Sequence, residues 1–130
     1  MNVAQESIVV NAPVAELYEQ WLRFEDLPKF IKPIRNVCRI DDTHFSFTSG
    51  ADGDKRVSCL EIMFQNPGRR IAWRIMSDGV GLGVVSFEPQ PDGSTEVTLK
   101  LRSAFNPLLS SERATEYLGA FKALVESTRH

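Results

Sequence analysis

The stretch from Asn106 to Arg129, NPLLSSERATEYLGAFKALVESTR, decides how the rest of the chain must fold. It reads as one long amphipathic helix. Asn106 suits an N-cap and Pro107 a first helical position. A second start lies at Ser110 or Ser111, with Glu112 in the first turn. Ala114, Leu118, Phe121 and Val125 recur at helical spacing, with Tyr117 and Leu124 beside them. Glu112, Arg113, Glu116, Lys122 and Glu126 fall mostly on the wet side. Lys122 and Arg129 lie toward the C-terminal end, where the macrodipole favours cations. Such a stripe must be buried against another layer. Almost everything upstream reads as strand, so the cover has to be a sheet. The expectation is a sheet that curls around this helix and traps a cavity between them.

Val3 to Asn11 is rich in β-branched residues and reads as a first strand. Pro13 opens a helix whose apolar face is Val14, Leu17, Tyr18 and Trp21. Phe24 to Lys32 reads as a second short helix, with Leu27, Phe30 and Ile31 inward and Pro33 ending it. Six alternating segments follow: Ile34–Asp41, Thr43–Gly50, Arg56–Gln65, Arg70–Ser77, Val80–Gln90 and Thr95–Phe105. Phe45 and Phe47 share one face of their strand. Ser58, Leu60, Ile62 and Phe64 share one face of the next, and Val57, Cys59, Glu61 and Met63 the other. Ile71, Trp73 and Ile75 oppose Ala72, Arg74 and Met76; Val97, Leu99 and Leu101 oppose a polar set from Glu96 to Arg102. Asn66-Pro67-Gly68 matches a type II turn, and Asp78-Gly79 a hairpin. Gly81 and Gly83 inside a strand mark bending or a close approach. All the links are short, so the strands form an antiparallel meander, with the first strand closing against one end.

The chain has 130 residues, enough for one domain burying ~65–70% of its unfolded surface. Hydrophobic residues make up 42% and charged residues 25%, which excludes disorder and membrane classes. No apolar run suits a spanning helix. Met1 to Glu6 shows no signal-peptide pattern, so a cytoplasmic location is expected. The net charge of −2, with both signs interleaved, argues against nucleic acid as a partner. Lys55-Arg56 and Arg69-Arg70 read as solvated strand ends. Cys38 and Cys59 lack metal spacing and read as reduced thiols.

Four segments, SIVVNAP (Ser7–Pro13), FEDLPKF (Phe24–Phe30), PGRRIAWR (Pro67–Arg74) and Phe87-Glu88-Pro89, occur in an order that resembles the START-like, helix-grip superfamily in its polyketide cyclase/dehydrase branch (SRPBCC). The resemblance spans nearly the whole chain and speaks to fold more than to function. It implies an α+β fold: a curved seven-stranded antiparallel sheet wrapped around the C-terminal helix, with two short helices between strands 1 and 2. It also implies an internal cavity for a hydrophobic or aromatic ligand that is lipid-, polyketide- or quinone-like.

The residues expected to line that cavity are Trp21, Leu27, Phe30, Ile34, Phe45, Phe47, Ser58, Leu60, Ile62, Phe64, Trp73, Leu99, Leu118 and Phe121. Ser58 is the inward-phase polar residue. Tyr18 and Tyr117 read as packed residues with their oxygens at the surface, the cavity being the other direction open to them. His44 and Arg74 fall on the outward phase and read as surface groups. Two histidines, one of them His130, cannot build a His-rich metal centre, so neither metal nor cofactor is expected. There is no phosphate loop and no nucleophile elbow.

The aromatase/cyclase members of the resembled family use a tyrosine after the second helix and an arginine on a following strand. Those positions fall on Ile34 and Phe64 here, and the family's tryptophans on Ser58 and Leu60. Neither isoleucine nor phenylalanine can donate a hydrogen bond or titrate, and Met63 and Gln65 do not restore the arginine. Three readings follow. The first is a module that binds an apolar ligand. The second is a cyclase or dehydratase that works by holding a flexible substrate in a reactive shape. The third is an accessory protein-interaction factor. A monomer or a homodimer fits each.

Overall fold

Short turns between alternating segments make sequence neighbours pair antiparallel, and the strand order follows from that. The computed structural model describes residues 2–31, 34–49, 56–76, 80–103 and 111–127. The elements run β1 (Asn2–Val10), α1 (Val14–Leu22), a 3₁₀ helix (Phe24–Lys29), β2 (Ile34–Arg39), β3 (His44–Ser49), β4 (Arg56–Asn66), β5 (Arg70–Met76), β6 (Val80–Pro89), β7 (Thr95–Ser103) and α2 (Ser111–Ser127). One seven-stranded sheet has the order β1-β7-β6-β5-β4-β3-β2, with every pair antiparallel. This is the expected helix-grip architecture: a curved sheet, a long C-terminal helix against it, and two short helices between the first two strands.

The second helix is shorter and tighter than expected. It is a 3₁₀ turn ending at Lys29, with Pro28 near its end. The missing Pro28 amide interrupts any longer α-ladder. Arg39 of β2 donates to Glu25 through Nε (3.2 Å) and Nη2 (3.3 Å), fastening this turn to the sheet edge. That hydrogen bond holds the Glu25 carboxyl below its ordinary range. The same arginine covers the Phe45 ring, 4.9 Å from its centroid.

In α2 the stripe Ala114, Leu118, Phe121 and Val125 is buried together with Tyr117, and Leu124 is half-buried. The helix packs chiefly on β1. Lys122 Nζ donates to Val9 O (2.9 Å) and Glu126 Oε2 accepts from Asn11 N (3.0 Å), so adjacent turns of α2 hold the end of β1. A buried bond from Thr95 Oγ1 to Ala12 O (2.8 Å) ties β7 to the entry of α1. The expected caps at Asn106, Pro107 and Ser110 and the cation at Arg129 lie outside the described residues, as do the turns at Ala51–Asp54 and Asp78-Gly79.

The facing pattern holds on β3, β5 and β7, where Phe45, Phe47, Ile71, Trp73, Ile75, Val97, Leu99 and Leu101 are all buried. It fails at one place on β4. Ile62 pairs with Trp73, but Phe64 pairs with Ala72, so Met63 is an extra residue. A bulge of this kind reverses the phase beyond it. Phe64 therefore points outward and is 50% exposed. Its expected place on the inner face is corrected accordingly. A second irregularity on β2, between Arg35 and Cys38, places Asn36 at φ 54°, a left-handed conformation that asparagine tolerates. At the β4–β5 turn Gly68 has φ 75° and Arg69 N donates to Asn66 O (2.9 Å), as a type II turn requires. Cys38 and Cys59 pair with Ser46 from either side, so they sit two strand spacings apart (roughly 9–10 Å) and are free, exposed thiols.

Candidate functional site

Between the inner face of the sheet, α1, the 3₁₀ helix and Tyr117 of α2 lies a small apolar cavity. Its lining is Trp21, Phe24, Leu27, Ile31, Ile34, Leu60, Trp73, Ile75, Leu99, Leu101 and Tyr117. Three layers supply these residues for simple reasons of period. Alternation on β4, β5 and β7 sends Leu60, Trp73, Ile75, Leu99 and Leu101 inward. The 3.6-residue period of α1 brings Trp21 under the sheet, and the three-residue repeat of the 3₁₀ helix adds Phe24 and Leu27.

Of the expected lining, the structure places Trp21, Leu27, Ile34, Leu60, Trp73 and Leu99 on the cavity wall. Phe30, Phe45, Phe47, Ser58, Ile62, Leu118 and Phe121 are buried but pack elsewhere in the core. Phe64 lies on the outer face, in a broad depression whose lining also includes Arg69 and Glu96. Phe24, Ile31, Ile75, Leu101 and Tyr117 also line the wall, beyond the fourteen residues expected there; Leu101 was already on the inward phase of its strand, and the cavity was the second direction open to Tyr117. Phe24 and Ile31 share the short helix with Leu27. Ile75 and Leu101 extend the alternation of Trp73 and Leu99 by one step, so that signal was present. The tyrosines differ from expectation in a second way: the hydroxyls of Tyr18 and Tyr117 are both buried. Burial raises the pKa of the Tyr18 phenol.

An aromatic cluster forms the roof. Trp21 packs against Phe121 (ring centroids 4.8 Å apart), Phe30 (5.2 Å) and Trp73 (6.0 Å), and Phe24 against Phe45 (5.2 Å) and Trp73 (6.0 Å). These rings interlock so closely that the cavity has a volume of only about 30 Å³. That is room for about one or two water-sized bodies, not for a polycyclic guest. The concave surface is thus filled more completely along these walls than the sequence led one to expect.

Wall polarity is low. Of the eleven residues only Trp21, Trp73 and Tyr117 have side chains with hydrogen-bonding atoms, and none carries a carboxylate, an imidazole or a cationic group. Ile34, at the position where the resembled cyclases use tyrosine, is buried on the wall. Trp21 is fully buried, and its Nε1 has no hydrogen-bond partner among the described residues. Among those residues no cluster of metal-ligating side chains occurs, and no helix is long and apolar enough to cross a membrane.

The titratable groups gather on the outer face instead. His44 Nδ1 lies 2.9 Å from Asp41 Oδ1, and His44 Nε2 lies 3.3 Å from Glu61 Oε2. Arg74 hydrogen-bonds Glu61 from the neighbouring strand. Asp41 also accepts from the amides of Thr43 (2.9 Å) and His44 (2.8 Å), closing the β2–β3 turn. These bonds hold the Asp41 carboxyl down at about 2, and the hydrogen bond with Asp41 raises His44. His44 and Arg74 are outward, as expected, but they form a four-residue network rather than isolated surface groups.

Residues 1–128 match the family described as polyketide cyclase / dehydrase and lipid transport. An uncharacterised 17.2 kDa protein of Streptomyces lincolnensis is 31% identical over 123 residues, which is 94% of this chain and 81% of that protein. Among solved structures, a protein from Deinococcus radiodurans is similar with a TM-score of 0.81 and 26% identity, covering 98% of this chain and 100% of its own. A START superfamily protein from Mycobacterium smegmatis has a TM-score of 0.79 at 16% identity, covering 98% of this chain and 99% of its own.

Proposed function

The chain belongs to the polyketide cyclase/dehydrase and lipid transport family, and from that premise we propose that it binds a hydrophobic or aromatic small molecule in the cavity between the sheet and its helices. One observation carries this reading: eleven described wall residues, all apolar or aromatic and none charged, around unfilled space. Water gains little in such a place, whereas an apolar surface gains the full transfer free energy. Burying a Leu- or Phe-sized group contributes about 1.5–3 kcal/mol. A few such groups support micromolar affinity, which corresponds to about −8.2 kcal/mol. At the volume described above, a larger guest enters by parting the rings of Trp21, Trp73 and Tyr117. Trp21 and Trp73 hold each other and the neighbouring phenylalanines by aromatic contacts, and a guest of the same character replaces them.

The test uses the chain's own reporters. Titration with apolar aromatic compounds should change the emission of Trp21 and Trp73 saturably and raise the melting temperature. Mass spectrometry of protein purified from cells should find a co-purifying apolar molecule. Silence in all three measurements would remove this reading. A cyclase or dehydratase activity has less support. None of the described wall residues carries a carboxylate, an imidazole or an amine that could act as a general acid or base near neutral pH.

A further inference from the structure

Trp21, a residue of the cavity wall, carries a buried donor that no described residue accepts from. Trp21 lines the cavity and is fully buried, and its Nε1–H finds no acceptor among the described residues. Leaving a buried N–H unpaired is costly, and native proteins rarely do so without a reason. Indole is a donor only, so it answers to an acceptor and nothing else. Phe121, Phe30 and Trp73 crowd the ring, so the N–H cannot swing freely to the surface. We propose that the Trp21 indole N–H is the specificity-determining group of this site, selecting neutral, carbonyl-bearing apolar ligands over hydrocarbons and carboxylates of the same shape.

The inference rests on the apolar-ligand reading above and sharpens it. Hydrocarbon guests leave the N–H unpaired. A carboxylate brings a charge to a wall with no cation among the described residues and is excluded by its own desolvation. An alcohol brings a second donor, for which the described wall side chains offer the Tyr117 oxygen alone. A ketone, quinone, lactone or ester oxygen accepts one bond and asks for nothing in return.

The test compares three probes of nearly one shape: acetylnaphthalene, isopropenylnaphthalene and naphthoate. Binding is measured by calorimetry, and the indole ¹H–¹⁵N resonances of Trp21 and Trp73 are followed by NMR. One neutral hydrogen bond predicts that the ketone binds about tenfold tighter than the alkene. The Trp21 indole proton should move downfield with the ketone and not with the alkene. In Trp21→Phe, which keeps a ring but loses the donor, the two should bind within about twofold of each other. If that variant does not fold, the wild-type resonance still decides. Equal binding of ketone and alkene with an unmoved Trp21 proton, or naphthoate binding as tightly as the ketone, overturns the selection rule while leaving the apolar site in place. Failure of all three probes to bind overturns the apolar-ligand reading itself, and this inference with it.

Discussion

Trp73 on β5 sits directly over Gly83, its cross-strand partner on β6: a Cβ at Gly83 would lie 2.3 Å from Trp73 Cε2 and 2.5 Å from its Nε1. Glycine is therefore what lets a cavity-lining indole press onto the sheet. Replacing it makes the ring move, because the side chain in the way is rigid and aromatic. Gly83→Ala should cost about 1–3 kcal/mol through overpacking. Urea denaturation checks this, and the variant's Trp emission should shift as the ring is displaced.

The bulge at Met63 makes opposite forecasts for two phenylalanines of similar sequence context. Phe64, on the outer face, should tolerate alanine at a cost under about 1 kcal/mol, as most surface changes do. Phe45, fully buried under Phe24, should lose about 3–5 kcal/mol. Comparable losses for the two variants in denaturant titrations would contradict the register described here.

Leu99 touches the cavity from β7, and shortening it should widen the space. Leu99→Ala should lose about 2–5 kcal/mol. Part of that loss should return when a small apolar aromatic such as benzene fills the enlarged volume, since a ligand that binds only the folded state stabilises it by mass action. Thermal melts with and without benzene would reveal the recovery, which wild type should show less strongly.

Thr95 is fully buried, and its hydroxyl bonds Ala12 O at the entry to α1. Thr95→Val keeps the shape and strands that carbonyl. A cost of about 1–3 kcal/mol is expected in chemical denaturation, against little change for Thr95→Ser.

The His44 network gives stability a pH dependence of known sign. His44 is raised above 6.5 in the folded chain, so its contribution is present in full below that value and is lost as pH climbs through the folded pKa. Asp41 is lowered from 3.8 to about 2, so its contribution is present above 3.8 and lost as pH falls through 2. The pair therefore helps most between those limits, from about pH 4 to 6.5. Both groups are well exposed, so the effect on stability is small. A histidine NMR titration reads it directly. Asp41→Asn should bring His44 down toward its ordinary value, and Glu61→Gln should do so by less, since Arg74 already neutralises part of that carboxylate. An unchanged His44 titration in Asp41→Asn would show that the pair does not form in solution.

Periodicity in the sequence determines most of the fold. Ala114, Leu118, Phe121 and Val125 could lie on one side of α2 only if the segment was helical, and Ile71, Trp73 and Ile75 could share a face only if theirs was a strand. Short turns then made the sheet an antiparallel meander. These are local constraints, each written within a few neighbouring residues, and they determined the sheet, the gripping helix and six of the cavity's wall residues. Three things were decided by the tertiary structure alone. The bulge at Met63 turned Phe64 outward, because an extra residue in a strand shows itself only against the partner strand. The Asp41–His44–Glu61–Arg74 network needed the register of three strands to bring its members together. The cavity volume depends on how rings from α1, the 3₁₀ helix, β5 and α2 interlock. Side chains distant in sequence fill that space jointly, and no stretch of the chain encodes what the others leave open.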